Sequence, residues 1–181
     1  MSWVEDILGY WFEEIEPKAQ FISTPEQDQE IARRFGALME EFSKKLPAEA
    51  HTDARANLAA IILFDQFSRN IHRGTAQAFA YDPLAFALTE LALQKGFDQE
   101  LPTDQRAFVY VPLEHAEDLA AQERCVALFE ALGREDYIKF VKDHRNIIAR
   151  FGRFPHRNAV LDRQSTAEEL AYLEDANRFG Q

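Results

Sequence analysis

Between His144 and Leu161 the chain reads HRNIIARFGRFPHRNAVL, with four arginines, two histidines and no Asp or Glu, in a protein of formal net charge −11. A second acid-free window, Gln66 to Tyr81, adds Arg69, His72 and Arg73, so the two windows carry +6 and the rest of the chain −17. The chain has six lysines, yet every full cation in these windows is an arginine. A planar guanidinium holds a carboxylate or phosphate through two parallel hydrogen bonds, which an ammonium does not. Arg150, Arg153, His156, Arg157 and Asn158 therefore form one candidate anion-binding set, on a loop that Gly152 frees from its helix and Pro155 stiffens. The plainer reading is that these cations offset the acidic surface or cap a helix C-terminus, where each contributes about 0.3–1 kcal/mol.

Asp65, Arg69, Asn70 and Arg73 form a second set. Asp65 falls one helical turn before Arg69 and continues a stripe of Leu58, Ile61 and Ile62. A carboxylate on that stripe is partly buried, which costs several kcal/mol unless it is paired and hydrogen-bonded. It is either a structural ion pair at a helix end or the group that orients a ligand-gripping arginine. The third set lies in LEHAED, where His115 is a candidate general base and Glu114 or Asp118 its orienting acid. A hydrogen-bonded core histidine is the alternative for His115, and also for His144. No HExxH pair, glycine-rich phosphate loop, nucleophile elbow or dinucleotide fingerprint is present, so the sequence names no metal and no cofactor.

Composition narrows the partners. A sequence pI near 4.9 disfavours nucleic acid, whose phosphates reward a broad basic face, and disfavours anionic lipid surfaces. The longest apolar run, Leu58 to Phe64, is far below the roughly 20 residues of a membrane span, and the N-terminus MSWVEDILGYWFEE is too acidic for a secretory signal. A cytoplasmic location is expected. The single Cys125 allows no internal disulfide and reads as a small packed residue within a helix.

Helices must position these sets, since strand signals hardly occur. Ser2 with Glu5, Thr24 with Pro25 and Gln27, and Thr52 or Asp53 mark helix starts. Ile31, Phe35, Leu38 and Phe42 share one face, and Leu84, Leu88 and Leu91 another, on a helix from Asp82–Pro83 to Gly96. A periodic stretch from about Thr103 to Leu132 contains Pro112, which removes a backbone donor and should kink or split the helix near residues 108 to 112. Glu135 to Phe151 is the last long helix, with Tyr137, Val141, His144, Ile148 and Phe151 inward; Ser165 with Glu168 opens a short terminal one. Arg-Phe-Gly recurs at 34–36, 150–152 and 178–180, at spacings too unequal for a repeat. The expectation is a single all-α domain over residues 1–181, an array of about seven or eight helices.

FDQFSRNIHRGTAQAFAYDPLA, VYVPLEHAEDLAAQE and HRNIIARFGRFPHRNAVL together resemble a largely bacterial, uncharacterised domain-of-unknown-function family. That resemblance spans nearly the whole chain. It implies a tetratricopeptide-like superhelical packing, although the repeat consensus of that fold is not legible here. The functional expectation is an arginine-lined pocket for a small anionic metabolite, with hydrolysis as the candidate reaction. The alternatives are a scaffold holding a protein or peptide carboxylate, and a purely structural Arg/acid network.

Overall fold

Ala56 to Asp65 are all buried, and this ten-residue stretch forms the axis of the fold. In the computed structural model, which describes residues 2–175, it belongs to a continuous rod: α3 (Ala54–Ile61), a π-helical turn (Ile62–Phe67) and α4 (Ser68–Ile71). A helix apolar on every side needs neighbours on every side. α1 (Trp3–Gly9), α5 (Asp82–Lys95) and α6 (Thr103–Glu114) pack on α3, while α2 (Pro25–Lys44) packs on α4 and the π turn. α6 then carries α7 (Leu119–Leu132), and α7 carries α8 (Glu135–Phe151). α9 (Ala167–Asp175) closes over the end of α8 through Tyr172, which packs with Ile147, Ile148, Phe151 and Phe154. Among the described residues there is no strand, and no helix is long and apolar enough to cross a membrane. The third Arg-Phe-Gly, at 178–180, lies outside the described residues.

The caps explain most boundaries. Thr24 accepts from the Gln27 amide at 3.2 Å, and Asp53 rather than Thr52 caps α3, accepting from Ala56 at 2.8 Å. α8 stops at Gly152, whose φ of +70° is left-handed and favours glycine. The terminal capping box sits one residue later than the sequence suggests. Thr166 Oγ1 accepts from the Glu169 amide at 3.1 Å, and the Glu169 carboxylate accepts from the Thr166 amide at 2.7 Å. The stretch from Thr103 does divide, but at residues 115–118 rather than 108–112. α6 runs two residues beyond Pro112, and Asp118 restarts the chain by capping Ala121 at 2.8 Å. On α5 only Leu88 of the expected leucines is fully buried; Ala85, Thr89 and Ala92 make the close approach, leaving Leu84 and Leu91 half-buried.

The aromatic residues fill the interior. Phe67 stacks on Phe35 at 4.7 Å and meets the edges of Trp11 and Tyr10 at 5.6 and 5.8 Å; Trp11 goes on to Phe108 at 5.6 Å.

Candidate functional site

The π turn puts Asp65 in the interior, 1% exposed, facing the end of α6. Its Oδ1 lies 2.7 Å from Nδ1 of His115, the residue that ends α6. Gln66 donates to Oδ2, and Arg69 Nη1 sits 3.2 Å from Oδ1. Burial opposes the charged carboxylate, but Arg69, His115 and Gln66 outweigh it and hold the Asp65 carboxyl at about 2. Burial also pushes the His115 ring below its ordinary value, helped by the Arg69 charge and resisted by Asp65. At neutral pH the imidazole is therefore uncharged. With ionised Asp65 accepting from Nδ1–H, the lone pair belongs to Nε2, which has no protein partner among the described residues. This is the tautomer a general base requires.

Arg69 extends the network outward. Its Nη2 donates to Asp82 Oδ2 at 3.1 Å, and its Nη1 lies 3.0 Å from Asp82 Oδ1. Arg157 reaches the same carboxylate from the loop after α8, with Nη1 at 3.4 Å from Asp82 Oδ2 and 3.1 Å from the His115 carbonyl. The guanidinium carbon lies 4.5 Å from the ring centroids of both Phe79 and Phe154. Burial, then the nearby Arg69 charge, lowers Arg157 to about 10, still charged at neutral pH but short of compensation. Among the described residues its Nε is buried without a hydrogen-bond partner, and none of them bonds its Nη2. That is the edge with which arginine takes an oxyanion bidentately.

These groups open on a cleft of about 380 Å³. Asp82, His115, Glu117 and Arg157 supply its polar part; Phe79, Pro83, Phe86, Pro112 and Leu161 are among its apolar walls. Arg163 occupies Glu117 with two bonds of 2.6 and 2.9 Å, and the Phe154 amide adds a third.

Of the residues singled out by sequence, Asp65, Arg69, His115 and Arg157 meet here, beside His156, which burial and the Arg157 charge keep neutral by lowering it to about 3. The rest are employed elsewhere. Asp118 caps α7, so the acid at His115 Nδ1 is Asp65. Asn70 and Arg73 bind Asp28 at 2.8 and 2.7 Å, tying α4 to the start of α2. Arg150 pairs with Glu168 at 2.8 Å, Arg153 grips the Glu169 carboxylate at 2.6 and 2.8 Å, and Asn158 reaches Ser165 at 3.0 Å, which together fasten α9. Asp82 and Glu117 escaped the sequence reading. Asp82 reads there only as the first residue of a helix before Pro83, and nothing in the chain pairs it with arginines 13 residues before it and 75 after. Among the described residues, no three His, Cys, Asp or Glu side chains gather as a metal-holding group.

Glu114 forms a buried pair of its own, 2.8 Å from Nδ1 of His144. Burial opposes both charges, yet the partners prevail: Glu114 is lowered from 4.5 and His144 raised from 6.5. A lowered carboxyl contributes stability above its unfolded value that is lost as pH falls through the folded one; a raised imidazole contributes below its unfolded value and loses it as pH rises. Both contributions are whole only between 4.5 and 6.5. The loss of Tm caused by Glu114→Gln is expected to be greatest in that window and to shrink on either side, which thermal unfolding across pH will read.

The site is thus a buried Arg/Asp ion-pair network opening on a cleft, within an all-α fold. Residues 7–177 match the family described as bacterial protein of unknown function, DUF924, and the chain belongs to it. It is similar to the solved structure of protein of unknown function ATU0120 from Agrobacterium tumefaciens, at 39% identity and a TM-score of 0.90, over 96% of this chain and 97% of that one. Comparison with curated proteins finds no match.

Proposed function

We propose that the cleft binds a small carboxylate or phosphate on the unpaired Nε/Nη2 edge of Arg157, and that His115, oriented by Asp65, acts on the bound molecule as a general base in hydrolysis. The observation that carries this reading is the Nε/Nη2 edge of Arg157: a charged donor pair without a partner, 7% exposed at the side chain, on a residue that lines the cleft beside His115. An unsatisfied buried charge is unfavourable, so an oxyanion there is stabilised by what the protein lacks. Asp82 and Glu117 do not compete freely for that edge, because Arg69 and Arg163 already hold them. In the proposed step His115 Nε2 takes a proton from water as the water attacks an ester group carried by the bound anion, the bond from that group to its alcohol oxygen breaks, and the proton passes to the departing alkoxide.

Successive packing of α6, α7 and α8 through short connections supports a tetratricopeptide-like arrangement. A peptide carboxylate on Arg153 has less support, since Glu169 takes both of its forward donors.

Thermal-shift titration with inorganic phosphate, acetate and methyl phosphate tests the binding. At a hundredfold excess over Kd the gain is about 2.7 kcal/mol, or about 5–10 °C in Tm for a chain of this length. The gain should collapse in Arg157→Lys, which keeps the charge and loses the fork. No shift with any of these anions would overturn the reading. A proton NMR titration addresses the base separately, with the His115 ring expected to protonate below 6.5. A midpoint above that value would remove it as a neutral-pH base.

A further inference from the structure

The cleft does not end at its polar groups. Phe86, half-buried on α5, also lines a second and larger depression of about 690 Å³, whose other walls include Ala87, Leu91 and Leu93 of α5 and Arg124 of α7. α5 gives Asp82, Pro83 and Phe86 to the first hollow, and Phe86, Ala87, Glu90, Leu91, Leu93 and Gln94 to the second. At 3.6 residues per turn these positions fall on one broad face of the helix, over a length of about 18 Å. The hollows are therefore two parts of one trough along α5, with Phe86 as the sill between them.

Chemistry along the trough is uneven. The groups with unmet hydrogen-bonding capacity, Arg157 and the His115 ring, stand at one end. Beyond Phe86 the charged residues are occupied with each other, for Arg124 Nη1 binds both oxygens of Glu90 at 2.7 and 2.9 Å. Apart from the exposed amide of Gln94, what remains there is apolar side chain, of which Phe86, Leu91 and Leu93 are half-buried. A ligand matched to this surface has an oxyanion at one end and a narrow, uncharged body.

We infer that the molecule taken at Arg157 is an amphiphile, a carboxylate or phosphate carrying an unbranched alkyl or acyl chain, and that the chain lies along α5 over Phe86 towards Leu91. This rests on the anion reading above and adds the substrate class. Carboxylate and phosphate heads share the chemistry that Arg157 recognises; the chain sets the length preference. Phe86 acts as a specificity determinant, since a chain must cross it, whereas short acids need not.

Isothermal titration calorimetry tests the inference, with acetate, butyrate, hexanoate and octanoate in one arm and the matching monoalkyl phosphates in the other. Each added methylene should tighten binding by about two- to fourfold, the lower value for a half-open trough, until the chain passes Leu91. The arm with the tighter shortest member identifies the head group. Ala87→Trp, at an exposed position on the trough floor, should return octanoate to the affinity of butyrate and leave acetate and methyl phosphate unchanged. Equal affinity from acetate to octanoate would overturn the alkyl assignment and leave the Arg157 anion site standing. A chain-length gain that survives Ala87→Trp would overturn it as well, because the chain would then lie elsewhere. Failure of every acid and phosphate, short or long, would overturn the anion site itself and this inference with it.

Discussion

Asp65→Ala is expected to lower stability by about 3–5 kcal/mol, the usual cost of breaking a buried ion pair by removing one partner. For a chain of this length that is a fall in Tm of about 6–20 °C. The effect does not come from lost packing, since the side chain is small. Arg69, 9% exposed at the side chain, would keep its bond to the carbonyl of residue 65 but only one carboxylate, Asp82, which it already shares with Arg157, so its charge would stay buried with half its compensation. His115 would lose the acceptor that fixes its tautomer. Asp65→Asn separates the two consequences. An amide oxygen still accepts from Nδ1–H, so ring orientation survives, while the Arg69 charge is left as exposed to burial as in the alanine variant. Chemical denaturation should rank the proteins wild type, Asn, Ala. Asp65→Ala within about 1 kcal/mol of wild type would mean that the network is slack and that Arg69 gains little from it.

Phe67→Ala is expected to cost a similar amount, about 3–5 kcal/mol, by a different route. Phe67 is fully buried two residues after Asp65 and touches Tyr10, Trp11 and Phe35, joining α2 and the turn that follows α1 to the central rod. Removing the ring leaves a cavity that three rigid aromatics cannot close. Because Phe67 ends the π turn, the variant should also loosen Asp65, so the His115 resonance is expected to broaden or shift although the ring lies in another part of the core. Phe67→Leu keeps most of the volume and should recover more than half of the loss.

Much of the fold was legible because its causes are local. Asp53 and Thr24 cap their own helices, and Gly96 and Gly152 end theirs with left-handed backbone. Pro112 misled because α6 absorbs the lost bond to the Phe108 carbonyl and runs on to Glu114, and the break goes instead to Asp118, which rewards a new start. The site was legible in part. Asp65 was recognisable as a carboxylate on an apolar stripe, and its need for a cation followed from burial alone. Arg69, one turn further on, was its expected partner and is its partner; the extension through Asp82 to Arg157 was not legible, because those two residues are 75 apart in sequence. The charge count that drew attention to residues 144–161 was sound, but Arg150 and Arg153 answer acids on α9, a helix whose Glu168 and Glu169 lie just beyond the window. Counting charge over a window misses partners placed after its edge.

The π turn at Ile62–Phe67 has a consequence for how such a site comes and goes. A turn of this kind holds one residue more than regular winding would, and residues on its two sides are rotated relative to one another by about 100° compared with an uninterrupted α-helix. Deleting one residue there would swing the carboxylate of Asp65 off the axis that now points at His115 and bring a hydrocarbon neighbour round in its place. A single codon thus separates a rod that presents an acid to α6 from one that presents only grease.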